Sequence, residues 1–205
     1  GKGILAADES TGTIEKRFKS IDVESTEENR RKYREMLFRS SAMTEAIGGV
    51  ILFDETLRQN AADGTPLREV ILSQKSLPGI KVDQGVQPFN GSDTEKTTQG
   101  LDGLNERCKE YDNLGAKFTK WRAVINIGDS IPSNDCINDN MMSLVKYASI
   151  AQQNNMVPIV EPEVIMDGIH SIDQCYDVTK NVLLKLFDLL EKENVSIKGT
   201  LLKPN

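Results

Sequence analysis

The sequence contains almost no histidine and little cysteine. Of its 205 residues, one is histidine and three are cysteine, namely Cys108, Cys136 and Cys175. Zinc sites use closely spaced cysteine and histidine ligands, whereas these three cysteines stand far apart. An odd number of isolated cysteines is typical of free thiols in a reducing compartment. The scarcity of both residue types therefore argues against a multi-histidine metal enzyme and against a disulfide framework.

Long apolar runs and an excess of positive charge are also absent. No segment approaches the run of about 18 apolar residues that a membrane-spanning helix needs, and we expect no secretory signal at the start of the chain. The formal net charge is −6 and the pI is near 5.0, which argues against a nucleic-acid-binding protein. Local clusters of lysine and arginine can still bind a small phosphorylated substrate. Because the chain begins with Gly1 rather than methionine, we expect a fragment cut at both ends.

Short apolar runs alternate with segments of helical character. The runs have the length of strands that are buried on both faces of a parallel sheet, and they cover residues 3–7, 47–53, 79–83, 118–124, 157–160 and 197–203. Capping residues, a first-turn proline and glycine stops predict helices over about 25–41, 66–75, 99–114, 133–155 and 171–190. The first of these predictions rests on a capping box at Ser25-Thr26-Glu27-Glu28.

Repeated strand–helix units predict an α/β fold with a parallel sheet. A doubly wound sheet would carry a glycine-rich phosphate turn, and no G-x-G-x-x-G sequence is found here. A (β/α)₈ TIM barrel places polar residues at the ends of several strands, as this chain does. We therefore predict one partial barrel domain over 1–205 that supplies about six of eight strands. The last two βα units and the carboxyl-terminal tail are expected to be absent.

Charged side chains recur at the ends of these strands with a spacing of two residues. Alternate residues of a strand share a face, so Lys120 and Arg122 point the same way, as do Glu161 and Glu163. Lys203 ends the apolar run at 197–202. Desolvation there would favour a neutral amine, the form that attacks carbonyl substrates to give a Schiff base. The alternative is a solvated lysine at the end of a strand.

Seven segments, taken together and in order, resemble class I fructose-bisphosphate aldolase, the lysine-dependent and metal-free form. They are residues 1–11, 48–53, 79–83, 97–104, 120–122, 157–163 and 199–205, the last of which reads GTLLKPN. The resemblance implies reversible cleavage of fructose 1,6-bisphosphate to dihydroxyacetone phosphate and glyceraldehyde 3-phosphate, in glycolysis and gluconeogenesis. It also implies a homotetramer in the cytoplasm, or alternatively in a plastid, without a cofactor.

The resemblance implies a role for five residues in the chemistry. Lys203 matches the Schiff-base lysine, and Lys120 matches the neighbouring ammonium that helps to keep it neutral. Glu161 matches the acid/base that moves protons as the carbinolamine loses water, and Glu163 is expected to crowd it. Asp8 matches the carboxylate that handles the proton of the C4 hydroxyl.

The resemblance also implies a phosphate site and leaves alternatives. Ser10, Thr13 and Lys81 match positions near the C6 phosphate, and Arg122 matches a residue lining the same site. The C1-phosphate site is expected in the missing part. Another Schiff-base barrel enzyme, such as transaldolase or a deoxyribose-phosphate aldolase, is one alternative. The other is a truncated or moonlighting binding protein without activity, for instance with a cytoskeletal partner such as actin.

Overall fold

The computed structural model describes residues 1–204, and the chain divides into two compact units. The first unit comprises Gly1–Lys81 and Tyr111–Phe118, and the second comprises Val82–Glu110 and the residues from Thr119 onward. Asn205, which ends the predicted motif at 199–205, lies outside the described residues. The single domain over 1–205 stays a prediction.

The first unit contains three parallel strands in the order β1-β2-β3. They are β1 (Gly3–Ala7), β2 (Ile47–Leu52) and β3 (Leu77–Lys81), with Ala7 opposite Leu52 and Leu52 opposite Ile80. Glycine is required where the ring of Phe118 packs on the sheet. A Cβ at Gly49 would lie 2.9 Å from Phe118 Cε1, and a Cβ at Gly79 would overlap the same ring. The aromatic ring therefore fills the space that these two glycines leave.

Five helices belong to the first unit, and their apolar side chains form its core. They are α1 (Thr11–Lys19), α2 (Glu27–Phe38), α3 (Ala42–Ala46), α4 (Asp54–Arg58) and α5 (Leu67–Ser73). The buried residues include Ile14, Phe38, Leu57, Leu67 and Ile71. The predicted capping box at 25–28 is wrong by one residue, because the Thr26 side chain accepts a hydrogen bond from the Asn29 N–H at 3.1 Å. The helix also ends earlier than predicted, at Phe38.

The second unit contains the strand order β6-β7-β8 and a short antiparallel hairpin. The strands are β6 (Phe118–Ile125, whose first residue is counted with the first unit), β7 (Val157–Val164) and β8 (Leu201–Leu202). The hairpin pairs β4 (Val86–Pro88) with β5 (Lys96–Thr98). Strands β7 and β8 run parallel, with Val160 opposite Leu202. Helix α7 (Asn134–Gln153) follows β6, and α8 (Ile172–Lys192) follows β7. A short 3₁₀ turn, Ile197–Gly199, precedes β8.

Most predicted elements are present, and the differences have local causes. Helix α6 (Leu104–Asn113) begins five residues later than predicted, because 96–98 pair as β5 and both Gly100 and Gly103 have positive φ. In the run at 197–203, which was predicted as a strand, only Leu201–Leu202 form a strand, and Ile197–Gly199 form a 3₁₀ turn. Helices α7 and α8 begin after Ser133 and Ser171, as predicted.

The prediction that the strands are buried on both faces is wrong for β1 and β8. Only Ala7 is buried in β1, while Leu201 and Leu202 of β8 are 43% and 40% exposed. Within residues 1–204, β1 pairs only with β2, and β8 pairs only with β7. Each therefore presents an uncovered side to solvent. None of the helices in the same range has the length and hydrophobicity needed to cross a membrane.

Candidate active site

Two lysines, one from each side of strand β7, contact one buried carboxylate on that strand in the second unit. Lys120 lies on β6, Glu161 on β7 and Lys203 directly after β8. The Lys120 Nζ lies 3.2 Å from Glu161 Oε2, and the Lys203 Nζ donates to Glu161 Oε1. The strand register produces this contact, because the Lys203 N–H donates to the Val160 carbonyl at 3.0 Å and continues the β7–β8 pairing.

The exposure of Lys203 differs from the desolvation that its apolar run predicted. The Lys203 side chain is 36% exposed, whereas that of Lys120 is 7% exposed and that of Glu161 is 4% exposed. The apolar run before Lys203 does not desolvate it, because β8 is short and exposed. The negative charge of Glu161 stands between the two ammonium groups and offsets their repulsion.

A second ion pair lies two residues further along the same strands. Both Nε and Nη2 of Arg122 contact Glu163 Oε2. The backbone N–H of Arg122 donates to the Asp83 carboxylate at 3.4 Å. Alternation along β6 and β7 therefore gives two successive cross-strand pairs, 120 with 161 and 122 with 163. Glu163, which was expected to crowd Glu161, has Arg122 as its charged partner.

The opposite face of β6 is fixed by a buried aromatic pair. Trp121 stacks on Tyr147 with ring centroids 5.5 Å apart and an interplanar angle of 22°. The Tyr147 hydroxyl lies 2.8 Å from Thr119 Oγ1 and donates to the Ile159 carbonyl at 3.2 Å. Burial raises the pKa of Tyr147 well above its ordinary value, so the phenol stays protonated. Because Thr119 and Trp121 are held on this face, Lys120 and Arg122 point to the other.

The remaining predicted site residues lie in the first unit. Asp8 follows β1 and Lys81 ends β3, and both are half-buried. Ser10 precedes the first turn of α1, and its hydroxyl lies 3.0 Å from that of Thr13. Two hydroxyls at the amino terminus of a helix suit an anion, because the backbone N–H groups there carry partial positive charge. Ser10 and Thr13, which the resemblance assigned to one phosphate site, therefore lie next to each other.

A group of charged residues in the first unit was not predicted. Arg34 on α2 is fully buried and contacts Glu9 and Glu55, which follow β1 and β2. Arg30, one turn earlier, makes a bidentate pair with Glu55 at 2.6 and 2.9 Å. The four-residue spacing of Arg30 and Arg34 places them on one face of the helix, and this pairing could have been recognised from the sequence. Among residues 1–204, no group of three or more His, Cys, Asp or Glu side chains is placed to hold a metal ion.

Comparison with known proteins covers the whole chain. Residues 1–205 match the family described as "Glycolytic: Fructose-bisphosphate aldolase class-I". A protein of Xanthomonas axonopodis pv. citri named "Probable fructose-bisphosphate aldolase class 1" is 54% identical over 203 residues, which are 99% of this chain and 61% of that protein. "Fructose-bisphosphate aldolase 6, cytosolic" of Arabidopsis thaliana is 53% identical over 205 residues, which are 100% of this chain and 57% of that protein.

A solved structure agrees with the fold over the same length. Fructose-bisphosphate aldolase from Plasmodium falciparum, in complex with TRAP and a small-molecule inhibitor, matches with a TM-score of 0.96 and 50% identity. The match covers 100% of this chain and 59% of the Plasmodium chain. It confirms the predicted fold class, an α/β partial barrel with six parallel strands. The chain spans about three fifths of the length of the proteins it matches.

Proposed function

Because the chain belongs to the class-I fructose-bisphosphate aldolase family, as its motifs predicted, we propose that the full-length protein cleaves fructose 1,6-bisphosphate reversibly. The products are dihydroxyacetone phosphate and glyceraldehyde 3-phosphate. The observation that carries this proposal is the contact of Lys120 and Lys203 with one buried carboxylate, that of Glu161. A lysine and a proton-transfer group in direct contact are what Schiff-base chemistry needs.

Lys203 is the proposed nucleophile. Its neutral amine attacks the ketone carbon at C2, a C–N bond forms, and the carbonyl oxygen takes up a proton to give a carbinolamine. Glu161, which contacts the Lys203 Nζ, transfers protons as the carbinolamine loses water and becomes an iminium. Lys120 holds the second oxygen of the same carboxylate and keeps it oriented. Glu163 orients Arg122 through their ion pair.

Asp8 is the proposed base for the carbon–carbon step, an assignment that rests on its motif at the end of β1. It accepts the proton of the C4 hydroxyl while the C3–C4 bond breaks. The electron pair of that bond passes to the iminium and gives an enamine, and the aldehyde product leaves. Protonation of the enamine at C3 and hydrolysis of the iminium release the second product and free the amine of Lys203.

The residues that bind the phosphate groups of the substrate are assigned from the same motifs. We assign Ser10, Thr13 and Lys81 to the C6 phosphate, which is supported by the two hydroxyls 3.0 Å apart at the start of α1. Arg122 is assigned to the same substrate.

A homotetramer in the cytoplasm is also proposed, and relatives named cytosolic support the location. Sedimentation of the full-length protein at micromolar concentration tests the tetramer.

Borohydride trapping tests the proposal directly. The full-length protein is incubated with dihydroxyacetone phosphate, reduced, and mapped by peptide mass spectrometry. We expect an adduct on Lys203, and we expect the Lys203→Ala variant to lose both the adduct and the cleavage of fructose 1,6-bisphosphate. Lys198→Ala, five residues earlier and exposed, is the matched control and should retain both.

Three other results would contradict the proposal. Absence of an adduct on the full-length protein would remove the Schiff-base assignment and favour a binding protein without activity. Trapping together with cleavage of a different phosphosugar would favour another Schiff-base enzyme. Strong inhibition by EDTA would indicate metal catalysis, whereas we expect full activity in the chelator.

A further inference from the structure

Arg34 is a buried cation that contacts the segment directly after β1. Its side chain is fully buried on α2, and its Nη2 donates to the backbone carbonyl of Glu9 at 2.7 Å. Its Nη1 lies 3.6 Å from Glu55 Oε2, and the guanidinium lies 5.9 Å from the centroid of the Phe53 ring. One side chain therefore joins the chain after β1 to the chain after β2.

Burying this guanidinium costs free energy of folding unless ion pairs and hydrogen bonds compensate for the loss of hydration. Within the described part of the chain, Arg34 Nε and Nη1 have no hydrogen-bond acceptor. Burial lowers the pKa of Arg34, and the carboxylates of Glu9, Glu55 and Asp8 act against that shift. A well-packed apolar residue at such a position is often neutral or stabilising. Stability alone is therefore a weak explanation for an arginine here.

The contacts on either side of Asp8 indicate what the arginine does. Before Asp8, the chain is fixed by the pairing of Ala7 with Leu52 in the β1–β2 ladder. After Asp8, it is fixed by the hydrogen bond from Arg34 to the Glu9 carbonyl. The Glu9 carboxylate also contacts Arg17 at 2.5 Å, which restrains the same residue from the α1 side. The backbone of Asp8 is thus held at both ends by neighbours that do not themselves react.

We propose that Arg34 is a positioning residue that holds the Asp8–Glu9 backbone, and through it the Asp8 carboxylate, in the geometry that carbon–carbon cleavage requires. This inference rests on the proposed role of Asp8. Schiff-base formation on Lys203 does not use Asp8, so the two steps can be measured separately. A carboxylate displaced by about 1 Å can lower the rate of a reaction about 100-fold.

The test compares Arg34→Met and Arg34→Lys with Arg31→Met in the full-length protein. Arg31 lies on the same helix and pairs with Glu28 and Glu35, both also on α2, so it is a matched control for loss of a cation. Cleavage of fructose 1,6-bisphosphate is divided by the amount of borohydride-trapped Lys203, which removes the contribution of unfolded protein. We expect Arg34→Met to lower kcat per trapped site about 100-fold. The KM should change far less.

The other two variants separate charge from geometry. Arg34→Lys keeps the cation but loses the planar fork, so we expect it to recover only part of the activity. If Arg34→Met does not fold, kcat per trapped site is measured for Arg34→Lys instead. A positioning role for Arg34 predicts a value below that of the parent. Arg31→Met should match the parent. Amide hydrogen exchange of residues 8–11 should become faster in Arg34→Met and remain unchanged in Arg31→Met.

Two results would overturn the inference while leaving the proposed function in place. One is an unchanged kcat per trapped site in Arg34→Met, even with a lower melting temperature, because Arg34 would then be only structural. The other is unchanged hydrogen exchange at residues 8–11. If the parent itself forms no adduct, the proposed function fails instead, and the exchange measurement still decides whether Arg34 restrains this segment.

Discussion

The Lys120 ammonium lies 3.2 Å from the Glu161 carboxylate, and both side chains are more than nine-tenths buried. Such a pair is strongly coupled, because water screens it little. The other oxygen of the same carboxylate accepts from Lys203, which is more exposed. Glu161 therefore links a buried lysine, which solvent hardly reaches, to the lysine that we propose as the nucleophile.

We predict that Glu161→Gln slows cleavage of fructose 1,6-bisphosphate by about 10²–10⁴-fold, the usual contribution of a positioned acid/base. Trapping on Lys203 should slow as well, because the amide cannot transfer protons to and from the carbinolamine. The measurement is the rate of adduct formation under single-turnover conditions, together with kcat. A normal trapping rate would remove Glu161 from the first half of the reaction.

The same variant should lower stability more than a matched change two residues away. Glu161→Gln removes one charge of a buried ion pair, the carboxylate 3.2 Å from the Lys120 ammonium, and breaking such a pair typically costs about 3–5 kcal/mol. Glu163→Gln breaks a pair with Arg122, whose side chain is 42% exposed, and partly exposed pairs contribute about 1 kcal/mol or less. Urea denaturation of both variants checks the order. Equal losses would mean that the Lys120 environment is wetter than its burial suggests.

The sequence predicted which of these charged side chains share a face, because a two-residue spacing along a strand fixes that, but it did not predict which residue on the next strand each of them pairs with. Lys120, Arg122, Glu161 and Glu163 could be grouped in this way without a structure. The exposure of Lys203 could not be predicted, since it depends on how much of the run at 197–203 pairs with β7. The burial of Arg34 could not be predicted either, because α2 is polar overall and only tertiary contacts with Glu9 and Glu55 bury this side chain.

We predict that Gly79→Ala destabilises the protein by about 1–3 kcal/mol, the usual cost of overpacking a core. The added methyl group would overlap the Phe118 ring, which is itself 6% exposed and has little room to move. Thermal unfolding measures the loss, and the second change Phe118→Leu should recover part of it. Gly12→Ala is the control, since no atom lies within 4 Å of its added Cβ. A neutral Gly79→Ala would mean that the ring relocates freely.

We predict that the ion pair of Glu55 stabilises the protein only above mildly acidic pH. The hydrogen bond from Arg30 lowers the pKa of Glu55, so the folded state favours the carboxylate. This contribution is fully present above the unfolded glutamate pKa of about 4.3 and is lost as the pH falls through the lower folded value. Denaturation of the parent and of Glu55→Gln between pH 7 and pH 3 should therefore show a stability difference that shrinks on acidification. A difference independent of pH would contradict the coupling.

The three cysteines should differ sharply in reactivity, and the difference follows from burial. Cys108 and Cys136 are buried, and burial raises the pKa of each thiol to about 11, so at pH 8 only about one in a thousand is a thiolate. Cys175 is half-buried on α8. Brief treatment of the native protein with iodoacetamide at pH 8 should therefore label Cys175 first, and the other two should react only after denaturation. Cys175→Ser should abolish native-state labelling. Comparable labelling of Cys108 or Cys136 in the native protein would show that the helices covering them open faster than their burial implies.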